Sequence, residues 1–219
     1  MGRVRRSVTT QYDQVGEQFL RAQRAAPVRA HRQAFRARMR GSLAGKRLLD
    51  AGCGYGHDLA YFARRGAVVY GIDPSAAMIT AARRLNPTVT DLSVQPVQRM
   101  TFRNRFFDVV VSIYALHNAP NLRQAFRELH RILKPGGILL YVVQHPLFIF
   151  QARKTKRYHA RETYSFTIPD MATPCTIRQP THTFSEYFNP YVLDRFEVLD
   201  FVEGREPVPM WLLVKLRRR

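Results

Sequence analysis

Acidic residues are scarce in this chain. Sixteen Asp and Glu face 35 Lys and Arg over 219 residues, which leaves a formal charge of +19. No cluster of acids has the spacing of a catalytic metal site, so no metal is expected. Cysteine is scarcer still, with only Cys53 and Cys175. Two cysteines so placed exclude a disulfide framework and a thiolate metal centre, and they suit a reducing compartment. Long apolar runs are missing too. The longest, Ile138 to Val143, is far too short for a membrane helix. No apolar signal segment follows Met1, and Arg6 breaks the myristoylation pattern. A basic organelle transit segment is disfavoured, and the expected location is the cytoplasm. Internal repeats and low-complexity tracts are absent, and the length suits a single domain.

The base excess is uneven. Residues 1–47 hold twelve Lys and Arg against Asp13 and Glu17, a net +10. Further bases gather at Arg153-Lys154-Thr155-Lys156-Arg157, at Arg161 and from Lys215 to Arg219. Such patches are the usual footprint of a polyanion partner. However, 30 of the 35 bases are arginine, and a compositional bias with a solvated surface explains that equally simply.

What is present in quantity is glycine at one place. Leu48-Leu49-Asp50 ends an apolar strand, and Gly52, Gly54 and Gly56 follow at alternate positions. A strand breaking into a glycine turn before a helix lets a ligand reach bare backbone. Leu59, Ala60, Phe62 and Ala63 then return at helical spacing. A second strand, Val68 to Ile72, ends in Asp73, where an acid can accept hydrogen bonds from ribose hydroxyls. The third glycine comes one residue too early for the dinucleotide pattern G-x-G-x-x-G, which disfavours a nicotinamide oxidoreductase.

The D-x-G-x-G-x-G run resembles motif I of the class I S-adenosylmethionine-dependent methyltransferases, of the small-molecule, methyltransferase domain 11 type. Three further stretches match in order: Pro74 to Met78 opening a helix, Phe106 to Ser112 as the fourth strand, and Leu129 to Gly137 before the fifth. The resemblance is close over about residues 45–145. It implies S-adenosylmethionine as cofactor and a Rossmann-like open α/β sheet. That sheet is mostly parallel and seven-stranded, with an antiparallel C-terminal strand and helices on both faces.

By the same resemblance, Gly52, Cys53, Gly54 and Gly56 would face the methionine part and the ribose. Asp50 would hold the turn and reach the cofactor amino group, and Asp73 would take the ribose hydroxyls. Pro74, Met78 and Ser112 would line the site, with Tyr12 over the cofactor or simply on the surface. One departure stands out. Pro96 occupies the place of the family's adenine-contacting acid in Gln95-Pro96-Val97-Gln98. That leaves a glutamine carbonyl, from Gln95 or Gln98, and the Val97 N–H for the adenine.

Three residues at the carboxyl ends of strands are candidates for catalysis: Tyr114 and His117 after the fourth strand, and His145 after the fifth. A histidine there can serve as a general base. The competing reading makes His117 a helix cap or packing residue and lets His145 bond the backbone of the cover. His31 on its apolar stripe reads as structural.

Along the chain, residues 1–45 form a basic N-terminal helical lid, with helices over 11–25 and 27–40. In the second helix Val28, His31, Phe35 and Met39 make an apolar stripe, while Arg29, Arg32, Arg36 and Arg40 face solvent. Residues 46–144 form the cofactor core. Residues 145–182 read as an irregular, aromatic insertion that covers the substrate, with Cys175 in a loop. Residues 183–219 hold a helix opened by the capping box at Thr183 and kinked at Pro190, then a closing β-hairpin. The Asn/Asp-Pro-Pro-Tyr motif of base-amine methylation is missing, and so is a Pro-Cys nucleophile after the fourth strand. The function expected is therefore methyl transfer to a small apolar or aromatic acceptor, through oxygen more than nitrogen or carbon. The alternatives are an RNA methyltransferase using the basic segments and a cofactor-binding module without turnover. No membrane partner is expected.

Overall fold

The structure, a computed structural model, describes residues 11–14, 16, 30–89, 91–152, 157–168 and 175–219. Expectations on Val28, Arg29, residues 17–27 and the basic run 153–156 lie outside the described residues.

Seven strands form the main sheet: β1 (Arg47–Ala51), β2 (Val68–Asp73), β3 (Asp91–Val94), β4 (Phe107–Ile113), β5 (Leu133–Gln144), β8 (Phe196–Glu203) and β9 (Trp211–Arg218). Their order is β3-β2-β1-β4-β5-β9-β8. Strands β1 to β5 pair in parallel, and β9 runs antiparallel between β5 and β8. This is the open α/β sheet that the alternation of apolar strands and amphipathic helices implies.

The two-residue period of the strands sorts the core onto two faces. Leu48, Val109, Val111, Leu140 and Val142 meet Phe35 and Met39 of α1 (Ala30–Arg38). On the same face lie Leu59 and Phe62 of α2 (Leu59–Arg64) and Ile79 and Ala82 of α3 (Ala76–Leu85). Leu49, Val110, Leu139 and Tyr141 face the other way. They pack on Leu122, Phe126 and Leu129 of α4 (Leu122–Ile132), whose apolar positions recur every three to four residues. The Asn121 side chain starts α4 by accepting from the Gln124 N–H at 3.0 Å.

Three expectations need correction. Residues 145–182 are not irregular. They hold α5 (Pro146–Ala152) and an antiparallel hairpin, β6 (Thr163–Ile168) with β7 (Cys175–Pro180), so Cys175 starts a strand. The last helix is not kinked at Pro190 but broken in two, α6 (Phe184–Tyr187) and α7 (Pro190–Arg195). Pro190 sits in the first turn of α7, where its missing N–H is not needed, behind the Asn189 cap. The arginines of α1 are not simply solvated. Arg32 and Arg36 both reach the buried Asp58 carboxylate, and Arg38 bonds Asp200 at 2.8 Å. The apolar stripe behaves as expected, with His31, Phe35 and Met39 buried.

Candidate functional site

The turn between β1 and α2 is held almost entirely by itself and by β2. The N–H groups of Gly52 and Cys53 both donate to the Ile72 carbonyl, at 2.8 and 2.9 Å, and the Gly56 N–H donates to Cys53 O at 2.9 Å. The Gly54 N–H donates to Asp73 Oδ2 at 3.0 Å. All three glycines have positive φ. Side chains are excluded at two of them for a second reason. A Cβ on Gly52 would lie 2.0 Å from the Ala115 Cβ, and one on Gly56 would lie 2.5 Å from Asn86 Nδ2. At Gly54 a Cβ would meet nothing within 4 Å, so open space adjoins the bare backbone there. The glycine N–H groups are therefore spent inside the protein rather than aimed at a ligand. What the turn offers a ligand is shape and closeness.

Asp73 ends β2 beside that space. Its Oδ1 accepts from the Ser75 N–H at 2.9 Å and its Oδ2 from Gly54, leaving each oxygen one further lone pair. Burial raises its pKa to about 6, against the pull of those two backbone donors. Asp50 is buried at the end of β1, and burial, aided by the nearby Asp58, pushes its carboxyl well above the usual range. A buried acid of this kind gains most from a cationic or donor group brought by a ligand. Beyond the same edge, Tyr114, His117 and Gln144 leave β4 and β5.

Residues 49–141 match the family model described as a methyltransferase domain. That match spans under half of the chain, and over it the chain is similar to the S-adenosylmethionine-dependent methyltransferases. A phthiotriol/phenolphthiotriol dimycocerosates methyltransferase of Mycobacterium ulcerans is 35% identical over 107 residues, 48% of this chain and 40% of that protein. A ubiquinone biosynthesis O-methyltransferase of Nitrobacter winogradskyi is 37% identical over 107 residues, 47% of this chain and 40% of that one. The chain thus spans less than half the length of these curated relatives. An S-adenosylmethionine-dependent methyltransferase structure from Mesorhizobium loti superposes with a TM-score of 0.69 at 22% identity. It covers 87% of this chain and 99% of that one, which shows the shared fold.

The structure uses the sequence-derived residues unequally. Tyr12 packs on Tyr55 and on the buried Met78, beside the glycine turn. Two residues flanking Tyr12 anchor it. Asp13 accepts from the Ser75 hydroxyl and, at 3.3 Å, from the Ala77 N–H at the start of α3. Gln11 exchanges two hydrogen bonds with the Arg178 backbone of β7, at 3.2 and 2.8 Å. The N-terminal segment therefore bridges the cofactor turn and the hairpin. Pro74 is half-buried between Asp73 and the Ser75 cap. Cys53 is buried, with its thiol pushed up by burial, and Ser112 spends its hydroxyl on Ala51 O at 2.8 Å. These two shape the turn from behind. Val97 and Gln98 lie half-buried after β3. Gln95 is committed within its own loop, to Thr101 and Ser93, so Gln98 is the glutamine left for a ligand.

At the mouths of β4 and β5 the structure separates the three catalytic candidates. Tyr114 has φ 54°, a left-handed conformation that an aromatic residue rarely adopts. Its N–H donates to Val142 O at 2.8 Å, and its ring stands between those of His31 at 4.7 Å and His117 at 6.0 Å. His145 has both ring nitrogens occupied. Nδ1 accepts from the Leu147 N–H at 3.1 Å, and Nε2 meets Glu203 Oε1 at 2.7 Å. It precedes α5, and both its ring nitrogens are engaged within the protein.

His117 is different. It lies buried in the single 3₁₀ turn Leu116–Asn118, and its Nδ1 has no hydrogen-bond partner. Neither has the buried Asn118 Oδ1 next to it. Burial, with the neighbouring His182, pushes its pKa down to about 3. The ring is therefore neutral at ordinary pH. Gln179, Gln144 and Asn118 escaped the sequence reading, and His31, read there as structural, stands against Tyr114. Their types carry no motif, and only the fold brings them to this edge. The alternation from Thr163 to Ile168 was the one available signal for the hairpin that carries Gln179.

Proposed function

We propose that this chain transfers a methyl group from S-adenosylmethionine to a small, apolar or aromatic acceptor, through oxygen rather than nitrogen or carbon, with His117 as general base. The observation that carries this reading is the bare Nδ1 of His117, buried one strand away from the glycine turn. When bound, the cofactor supplies a methyl group on a positively charged sulfur, already activated for displacement. Asp73 holds the ribose hydroxyls through its free lone pairs, Asp50 faces the amino group, and the backbone at Gly54 leaves room for close approach. Tyr12 and Met78 exclude water from one side. His117 Nδ1 takes the proton that the acceptor oxygen gives up as the new O–C bond forms. Tyr114 and His31 hold the ring's surroundings.

The small-molecule reading is favoured over RNA by the use made of the arginines. Arg32, Arg36, Arg65, Arg131 and Arg218 all bind acids or carbonyls of the protein itself. Among the described residues no helix is long and apolar enough to cross a membrane, and no group of His, Cys, Asp and Glu could hold a metal. The relatives' names include O-methyltransferases, which supports oxygen as the acceptor atom.

The test is formation of S-adenosylhomocysteine with the cofactor and a panel of hydroquinones, phenols, long-chain carboxylic acids and tRNA. Product with a hydroxyl or carboxyl acceptor, lost in His117→Ala with cofactor affinity kept, is the expected result. Product with tRNA alone, or full turnover in His117→Ala, overturns it.

A further inference from the structure

Among the described residues only Arg105 and Tyr114 combine a side chain with a positive φ, at 53° and 54°. Arg105 lies exposed in the turn before β4. Tyr114 is half-buried at the opposite end of that strand, at the mouth of the site. Its backbone is committed on both sides. The Tyr114 N–H donates to Val142 O at 2.8 Å and extends the pairing of β4 with β5. The next residue, Ala115, packs so closely on the glycine turn that a Cβ on Gly52 would lie 2.0 Å from its own. Between these two fixed points the chain turns sharply into the 3₁₀ turn Leu116–Asn118. Glycine would take that turn without cost, whereas a tyrosine is strained in it. Strain of this kind persists only where the surrounding structure over-determines it. Around this ring stand two imidazoles, both met edge-to-face: His31 of α1 at 4.7 Å and 80°, and His117 at 6.0 Å and 81°.

We propose that Tyr114 is a positioning residue for His117, and that its strained backbone carries the ring into place between α1 and the 3₁₀ turn. One left-handed residue then does two things. It seats Ala115 on the glycine turn, and it wedges an aromatic ring against His117. His31 backs the far side of the wedge, and α1 is itself anchored by Arg32 and Arg36 on Asp58, the residue before α2. The position of His117 relative to the glycine turn is thus set through Ala115 and one ring. Removing the ring frees the imidazole to leave its place. Misplacing a reacting group by about 1 Å can lower a rate about 10²-fold.

The proposal rests on the reading of His117 as base, but its tests do not need turnover. The first reads the strain. Tyr114→Gly should melt at a higher temperature than Tyr114→Ala, the opposite of the order at an ordinary position, because glycine alone is at ease at this φ. Equal melting temperatures, or a higher one for Tyr114→Ala, overturn the proposal. The second reads the imidazole. Histidine is labelled with ¹³C, the ring signals of His31 and His117 are assigned by their loss in His31→Asn and His117→Asn, and ring mobility is read from relaxation. The His117 ring should be rigid in the unaltered protein and mobile in Tyr114→Leu, with rigidity restored in Tyr114→Phe, which keeps the ring. A His117 ring equally rigid in folded Tyr114→Leu overturns the proposal. If Tyr114→Leu fails to fold, His31→Leu, which takes away the backing of the wedge, replaces it with the same two outcomes. If Tyr114 immobilises the ring while His117→Ala still turns over, the base role falls and the positioning stands.

Discussion

Around the glycine turn, the N–H groups of Gly52, Cys53, Gly54 and Gly56 all find partners inside the protein. At the mouth of β4, two strands' width away or less, His117 Nδ1 and Asn118 Oδ1 are buried with none. The first region is finished before any ligand arrives, and its ligand-facing surface is open space with one half-used carboxylate. The second is left incomplete, which costs free energy unless a bound group completes it. The difference teaches where each half of the chemistry resides. On the function proposed above, the donor side is the completed turn and the acceptor side is the polar gap at His117 and Asn118.

The sharpest way to break this comparison is to fill the mould. Gly52→Val places a branched side chain on Ala115 in a left-handed backbone. A loss of about 3–5 kcal/mol is expected in denaturant unfolding, with cofactor binding abolished. Gly54→Ala is the contrast, because nothing lies within 4 Å of its Cβ. Stability should fall by only about 1 kcal/mol, while cofactor affinity measured by calorimetry drops sharply. Unchanged affinity in Gly54→Ala would show that the open space there is not the ligand's.

Next in size is the carboxylate. Asp73→Asn keeps an acceptor for only one of the Gly54 and Ser75 N–H groups, turns an NH₂ toward the other, and removes the charge. Hydrogen bonds to a charged group contribute about 1.5–3 kcal/mol each. A fall in cofactor affinity of on the order of 10²-fold is therefore expected by calorimetry.

A smaller effect follows from pH. The carboxyl of Asp73 titrates at about 6, raised by burial above its ordinary value. Ribose hydroxyls need the ionised form as acceptor, so binding strengthens as pH rises through 6 and is complete above 7. Between pH 7 and pH 5 the affinity should weaken about tenfold, with proton release on binding near pH 6. The sign for folding is the opposite. The unfolded chain releases this proton at lower pH than the native one, so Asp73 destabilises the free protein as pH rises from 4 to 6. Thermal unfolding of the free and cofactor-bound protein across this range checks both signs. In Asp73→Asn both dependences should flatten.

The smallest expected effect is His145→Gln. Its two hydrogen bonds, to Leu147 N–H and to the exposed Glu203 carboxylate, together contribute about 1–3 kcal/mol. Stability should fall slightly and turnover should hold. A large loss of turnover with the fold intact would return His145 to the reacting groups.

The glycine turn was legible because its information is local. Strand, turn and helix follow one another within 20 residues, the required φ values demand glycine, and Asp73 lies one crossover away. Asp50, Tyr12 and Met78 came from the family resemblance, and the structure places Tyr12 and Met78 together beside that turn. The spent N–H groups were not, since a spacing cannot say whether a donor faces a ligand or Ile72. The arginine stripe of α1 read as solvated because Asp58 lies 22 and 26 residues away from its partners. Nothing in the helix announces that pairing. His117 and His145 looked equivalent in sequence, each beyond a strand end.

From the sequence alone came the sheet, the cofactor turn and the acid at the end of β2, all fixed by periodicity, glycine stereochemistry and short-range spacing. Tertiary structure alone decided which histidine keeps a free nitrogen. That depends on Glu203, 58 residues from His145, and on the burial of His117 against elements distant in the chain. Proton placement on a ring is set by the partners packed against it, and those partners are chosen by the fold rather than by the neighbouring residues.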